Sequence, residues 1–404
     1  MAESPSSGEP PDDTYVRTEA DTPDGSPDGS LDATLDATLQ GALQGALQGA
    51  PMLGEAPDRY ILRQLLGRGG QSAVHLAEDA FLDRSVAFKQ LLPGNFGEGR
   101  FVREARLTAR LEHPGIVSVH ELGRRANGTL YATQTLVRGE TLAARLRRAR
   151  GLEDRLGLVR NVVDVCFAVG FAHQHGVIHR DLKPDNIMVG QFGETVVLDW
   201  GIARVLGEKE APGEKEALGE KEDGPPVDAV AAATSAGLPD DLQTAAGTVM
   251  GTPGYMAPEQ ARGELDKLDA RADVWALGAI LYEIATGMPA MPGATGMARM
   301  VRTLEGAEVV VREACPEAPP ELAAIIEKAL ANAPDGRFPD AVALADELER
   351  WRSGARVEVY EYSSVELLRR FVRRNPVATA LTGLLVAGVL VAMWLVSGER
   401  DRAL

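Results

Sequence analysis

Gly67-Arg68-Gly69-Gly70-Gln71-Ser72-Ala73-Val74 is a glycine-rich turn between two apolar runs. Lacking Cβ atoms, Gly67, Gly69 and Gly70 let backbone N–H groups come close to phosphate oxygens. By itself the pattern also suits a dinucleotide-binding turn, and Ser72 stands where a third glycine would fall. Downstream, Val86-Ala87-Phe88-Lys89 reads as an apolar strand ending in a lysine, a point charge suited to the α- and β-phosphates of a nucleotide. Glu104 follows on a helical stretch, FVREARLTARL, where it can pair with Lys89 and hold it in place. The densest segment is His179-Arg180-Asp181-Leu182-Lys183-Pro184-Asp185-Asn186, followed by Leu198-Asp199-Trp200-Gly201.

In this order and together, these segments resemble the catalytic loop and magnesium loop of the protein-kinase superfamily. The resemblance is strongest to bacterial membrane-anchored serine/threonine kinases of the eukaryotic-like (Hanks) type, and it covers about Tyr60 to Trp351. It implies an α+β, bilobal protein-kinase fold, with a small β-rich N-lobe and a larger helical C-lobe. It also implies that ATP, with Mg²⁺, gives its γ-phosphoryl group to protein hydroxyls, a reaction that needs positioning and charge neutralisation more than covalent help. Carried over residue by residue, Asp181 orients the acceptor hydroxyl and takes its proton late in the transfer, and Lys183 sets a cation near the γ-phosphate. Asn186 and Asp199 offer hard oxygen ligands to Mg²⁺. Lys89 grips the α/β-phosphates and Glu104 closes its ion pair. On the nucleotide side the resemblance assigns Leu66, Gly67, Gly69, Gly70, Val74, Ala87 and Met188, with Gln134 as gatekeeper and Thr135 to Val137 as the hinge that reads adenine. His179 is expected to pack beneath the loop.

Further markers point the same way. Gly251-Thr252-Pro253-Gly254-Tyr255-Met256-Ala257-Pro258-Glu259 resembles the segment that receives a substrate peptide. Glu259 is expected to pair with Arg337, and Asp273 to hold the backbone of the catalytic loop. Lys183 and Thr252 both match serine/threonine kinases, and the hydroxyl of Thr252 is expected to contact Asp181 and Lys183. Trp200 departs from the usual phenylalanine of the magnesium loop, bringing an indole N–H that needs a partner when buried. Arg180, beside the base, implies docking of a phosphate on the activation segment. Thr244 or Thr248 is the expected site, phosphorylated by a second copy of the chain. The alternative function is a catalytically inactive kinase-fold scaffold at the membrane.

The elements that must position these residues are legible in outline. Short β-branched runs broken by glycines extend from Tyr60 to Val137, with one helical stretch at Gly99–Leu111. Helical periodicity then dominates, as at Arg155–Gln174, Ala272–Thr286 and Glu321–Ala331. The kinase domain is expected over 59–353, interrupted by a flexible insertion at 206–243 with a six-residue GEKE repeat that matches neither helix nor strand. Residues 1–58 read as a disordered, acidic, low-complexity tail, in which a leucine every fourth residue drifts around a helix and makes no lasting seam.

Beyond the domain, 354–375 is a basic juxtamembrane segment and 376–397 a transmembrane helix, with 398–404 a short extracytoplasmic tail. Val377–Val396 carries no charge over twenty residues, the length needed to cross a hydrocarbon core of about 30 Å. Arg369, Arg370, Arg373 and Arg374 precede it, which sets the kinase side in the cytoplasm and membrane lipid among the partners. No signal peptide is expected at the N-terminus. The net charge of −17 argues against a basic nucleic-acid surface. The two cysteines, Cys166 and Cys315, form no metal-ligand spacing.

Overall fold

The computed structural model describes residues 56, 58–93, 97–206, 251–306 and 309–402. The tail, nearly all of the insertion, and both Thr244 and Thr248 lie outside the described residues.

The N-terminal part is a five-stranded antiparallel sheet of order β1-β2-β3-β5-β4. Its strands are β1 (Tyr60–Arg68), β2 (Ser72–Asp79), β3 (Arg84–Leu91), β4 (Val119–Arg124) and β5 (Leu130–Thr135), with helix α1 (Glu98–Arg110) inserted after β3. Register decides which side chains meet. Val74 pairs with Lys89, and Ala87 with Gln134, so these four share one face of the pleat. The opposite face carries Val86, Phe88 and Tyr131, closed by Tyr60 into a small core. Phe88 stacks on Tyr131 at 4.8 Å between ring centres. Helix α1 turns Phe101, Ala105 and Thr108 inward, an i, i+4, i+7 stripe. Its first-turn residue Glu98 pairs with Arg124 of β4 at 3.0 Å.

After β5 the chain crosses through residues 136–138 into β6 (Gly139–Thr141) and a helical body. This body contains α2 (Leu142–Arg148), α3 (Leu152–Leu156), α4 (Val159–Gln174), α5 (Pro258–Ala261), α6 (Ala270–Thr286), α7 (Gly296–Glu305), α8 (Val311–Ala314), α9 (Pro320–Ala329) and α10 (Ala341–Arg352). Four short strands, β7 (Val177–Ile178), β8 (Ile187–Gly190), β9 (Thr195–Val197) and β10 (Arg204–Val205), hold the loops between α4 and α5. β6, β8 and β9 form one small sheet, and β7 pairs with β10.

The centre of the main core is α6, where thirteen of seventeen residues are buried, as expected of a helix that is apolar all round. Its ends are well terminated. The Asp269 carboxylate accepts from Arg271 N–H at 2.9 Å, and Gly287 ends the helix at φ +76°, a conformation natural to glycine.

Two elements differ from the expectation. The helix expected over Arg155–Gln174 is broken at Gly157–Leu158 into α3 and α4. The turn lets Arg155 donate to the carbonyls of Ile284 (2.9 Å) and Ala285 (3.4 Å), satisfying the last turn of α6. Leu152–Gln174 is apolar enough to cross a membrane by composition, but 61% of its apolar window is buried within the domain, so it is a core element. The second difference is at residue 353, where the expected domain ended but packing continues. Val357 is fully buried in the main core, and Glu358 N–H donates to Glu347 at 2.9 Å.

The chain then forms α11 (Ser364–Arg374) and α12 (Pro376–Arg402). In α12 the apolar side chains of Val377, Leu381, Leu384, Leu385, Leu390 and Trp394 are all more than half exposed.

Candidate active site

β3 delivers Lys89 and α1 delivers Glu104 from opposite sides of a cleft. Lys89 is only 9% exposed, and its ammonium bonds Glu104 Oε1 and lies 3.1 Å from Asp199 Oδ1. Burial opposes the charge on Lys89, but Glu104 and then Asp199 outweigh it and hold the ammonium above its ordinary pKa. Burial lifts the Glu104 carboxyl, with Lys89 pulling the other way and Asp199 adding to the lift. Asp199 is also penalised by burial, yet Lys89 first, then His179 and Lys183, keep its carboxyl below the usual range. Asp199 is therefore a carboxylate held in its charged form beside one lysine.

The catalytic loop is suspended from below by Asp273, at the first turn of α6. Asp273 Oδ2 accepts from His179 N–H (2.8 Å) and Oδ1 from Arg180 N–H (2.9 Å), while His173 Nε2 closes the set at 2.9 Å. Gln260 donates to the Arg180 carbonyl at 2.7 Å. These bonds hold Arg180 at φ +70°; nearby Asp199 sits at φ +54°. Left-handed backbone at a non-glycine residue costs on the order of 1–3 kcal/mol and persists where neighbours over-determine it. His179 is fully buried, as expected: its Nδ1 accepts from Asp181 N–H at 3.2 Å and its ring packs on Trp200 at 4.6 Å. Trp200 is 1% exposed, and its indole N–H has no hydrogen-bond partner among the described residues.

On top of this scaffold stands a closed triangle. Lys183 Nζ donates to Asp181 Oδ2 (2.8 Å) and to Thr252 Oγ1 (2.7 Å), and Thr252 Oγ1 donates to Asp181 Oδ1 (2.6 Å). Asn186 donates its side-chain amide to the Asp181 carbonyl at 2.9 Å, and its backbone carbonyl accepts from Leu198 N–H at 2.8 Å. The Leu198–Gly201 segment is thereby tied to the loop that carries Asp181, one residue before Asp199.

Residues 60–348 match the model of the protein kinase domain. The chain belongs to the protein kinase family. Its relatives include the serine/threonine-protein kinase PknB of Mycolicibacterium smegmatis, 38% identical over 304 residues, which cover 74% of this chain and 43% of that protein. PknB of Mycobacterium tuberculosis is 34% identical over the same share of each chain. PknD of Protochlamydia amoebophila is 32% identical over 315 residues, covering 74% of this chain and 30% of that protein. The chain thus spans less than half the length of these relatives.

The remaining expected residues lie on β1 to β3, β5, β8 and the connections that follow β1 and β5. Gly67 and Gly70 have open space where a Cβ would stand, so what their lack of a side chain leaves accessible is the backbone itself. Leu66 is exposed, and Val74, Ala87, Gln134, Val137 and Met188 are only partly buried although most are apolar. Thr135 closes β5 and is exposed.

Glu259 and Arg337 form the expected pair, bidentate at 2.7 and 2.9 Å and buried. Arg337 also donates to the carbonyls of Ala331, Arg271 and Asn332, so all five of its N–H donors are used. Sequence reasoning missed His173 and Gln260, which lie outside the recognised motifs and brace the loop through Asp273 and the Arg180 carbonyl. It also missed Arg100, Arg103 and Arg204, which line a small cavity with Arg180. The two α1 arginines fall one turn apart on the helix that carries Glu104, a spacing that was visible in FVREARLTARL and its flank.

Proposed function

We propose that the chain is a serine/threonine protein kinase that moves the γ-phosphoryl group of ATP to protein hydroxyls. The observation that carries this reading is the Asp181–Lys183–Thr252 triangle, which sets a carboxylate, an ammonium and a hydroxyl within hydrogen-bond reach of one another. Asp181 is the group that orients the acceptor hydroxyl. As its oxygen bonds to phosphorus and the bond to the ADP oxygen breaks, the hydroxyl proton passes to the Asp181 carboxylate. Lys183 stabilises the phosphoryl charge, and Lys89, held by Glu104, grips the α/β-phosphates. Asn186 and Asp199 would hold Mg²⁺, which would neutralise phosphate charge there. Leu66, Gly67, Gly69, Gly70, Val74, Ala87, Gln134, Thr135, Val137 and Met188 hold the nucleotide.

The activation segment is regulated by phosphorylation between two copies of the chain, at Thr244 or Thr248. The cavity lined by Arg100, Arg103, Arg180 and Arg204 supports this, because a phosphothreonine adds about −1.5 to −2 charges that pair with arginine. The enzyme is anchored by α12, whose large apolar side chains between Val377 and Trp394 are exposed, with the kinase domain in the cytoplasm. The arginines that precede the helix support that orientation.

The test is phosphoamino-acid analysis of the full chain after incubation with radiolabelled ATP and Mg²⁺. Label in phosphothreonine and phosphoserine is expected; label confined to phosphotyrosine contradicts the acceptor assignment.

A further inference from the structure

Helix α11 meets the kinase domain with its polar side. On a 3.6-residue period, positions 366, 369, 370, 373 and 374 are charged and share one arc, while 365, 368, 371 and 372 are apolar and share the opposite one. A helix on the surface of a soluble domain does the reverse. Here the Arg370 guanidinium reaches Glu321 Oε1 of α9 at 3.3 Å, the carbonyls of Gly354 (3.1 Å) and Ala355 (2.9 Å), and the face of Tyr362. Glu366 accepts from Ser363 N–H (2.8 Å) and Tyr360 O–H (3.1 Å). On the other arc Val365 is 74% exposed, and Val372 is exposed as well.

Two observations say what covers that arc. Asn375 alone separates α11 from α12, whose own apolar side chains are exposed. The charged arc is also rich in arginine, which suits phosphate headgroups. We propose that α11 lies in the headgroup–acyl boundary of an anionic leaflet and brackets the kinase domain to it. Its apolar arc enters the lipid, and Arg370 clasps the domain through α9 and the 354–362 segment. The domain is thus held at a fixed attitude to the bilayer. This rests on the reading of α12 as a membrane span, and the test separates the two.

The full chain is reconstituted into vesicles of phosphatidylglycerol and phosphatidylcholine, with one spin label at Val365→Cys, Val372→Cys, Leu385→Cys or Phe192→Cys, or with two in the Val372→Cys/Phe192→Cys chain. Cys166 and Cys315 are buried, and burial pushes the Cys166 thiol up, so the introduced thiol takes the label. Phe192, 96% exposed on the domain, is the aqueous control. Accessibility to oxygen against an aqueous nickel complex is expected to place labels 365 and 372 about 5–10 Å into the boundary, and label 385 deep in the hydrocarbon. The distance distribution between labels at 372 and 192 is expected to be narrow and to broaden with Arg370→Ala. If label 385 is immersed while 365 and 372 are as aqueous as 192, the bracket is wrong and the span stands. If label 385 is aqueous, the span itself falls. Shielding of 365 and 372 with strong label–label broadening assigns the arc to a second copy and overturns the lipid. A broad distribution in the parent chain removes the fixed attitude.

Discussion

At the scale of residues, the site works because buried partners fix groups that do no chemistry themselves. Asp273 is 1% exposed and holds two backbone N–H groups, one of them at a left-handed residue. Asp273→Ala leaves both donors buried without an acceptor, and is expected to cost about 3–5 kcal/mol in urea unfolding. The pH dependence has a defined sign. Burial is the largest influence and opposes the Asp273 charge, but His173 and then His179 outweigh it and hold the carboxyl below its ordinary range. Its contribution is therefore present above the unfolded value of about 4, and is lost as pH falls through the lower folded value. The stability gap between the parent and Asp273→Asn is expected to narrow as pH drops below about 4. A gap independent of pH would count against the charge on Asp273.

Thr252 gives a second test at this scale. Its hydroxyl bridges Asp181 and Lys183, and hydrogen bonds to charged groups contribute roughly 1.5–3 kcal/mol. Thr252→Ala is expected to lower kcat on a peptide substrate by roughly ten- to a hundredfold, with the KM for ATP little changed. Thr252→Ser retains most of the activity. These groups were legible in the sequence because phosphoryl transfer demands particular residue types in a particular order. Gln260 and His173 were not, because bracing a backbone demands only a polar atom in reach.

At the scale of elements, periodicity carried the strands and the long helices but not the places where tertiary contacts decide. Arg155 leaves the helical run to satisfy the end of α6, a contact about 130 residues away in sequence that no local pattern encodes. The segment Arg356-Val357-Glu358-Val359-Tyr360 has no helical or turn signature, yet Val357 reaches the main core. Burying one valine contributes about 1.5–3 kcal/mol. A chain ending at Asn375 is therefore expected to melt several degrees above one ending at Ser353. Equal melting temperatures by calorimetry would show that the 354–362 segment adds nothing to the domain. The composition of α11 was read only as basic; its inverted arcs emerge once Arg370 and Glu366 are seen to face the domain.

For the whole molecule, the Lys89–Glu104 pair and the Asp181–Lys183–Thr252 triangle are formed together, as the proposed transfer between one nucleotide and one hydroxyl requires. With control by Thr244 or Thr248, the Thr244→Ala/Thr248→Ala chain is expected to lose most of its activity, and mass spectrometry of the active parent to find phosphate on one of the two. Full activity without phosphate at either position would leave Arg180 a structural role only.

Removing Asp181 tests phosphoryl transfer by these residues most directly. Full-length parent and Asp181→Ala chains, matched for fold by circular dichroism and melting temperature, are incubated with radiolabelled ATP and Mg²⁺. The parent is expected to label itself, and Asp181→Ala to fall by roughly 10²–10⁴-fold. Equal labelling of the two folded chains, or none in either, would contradict the assignment.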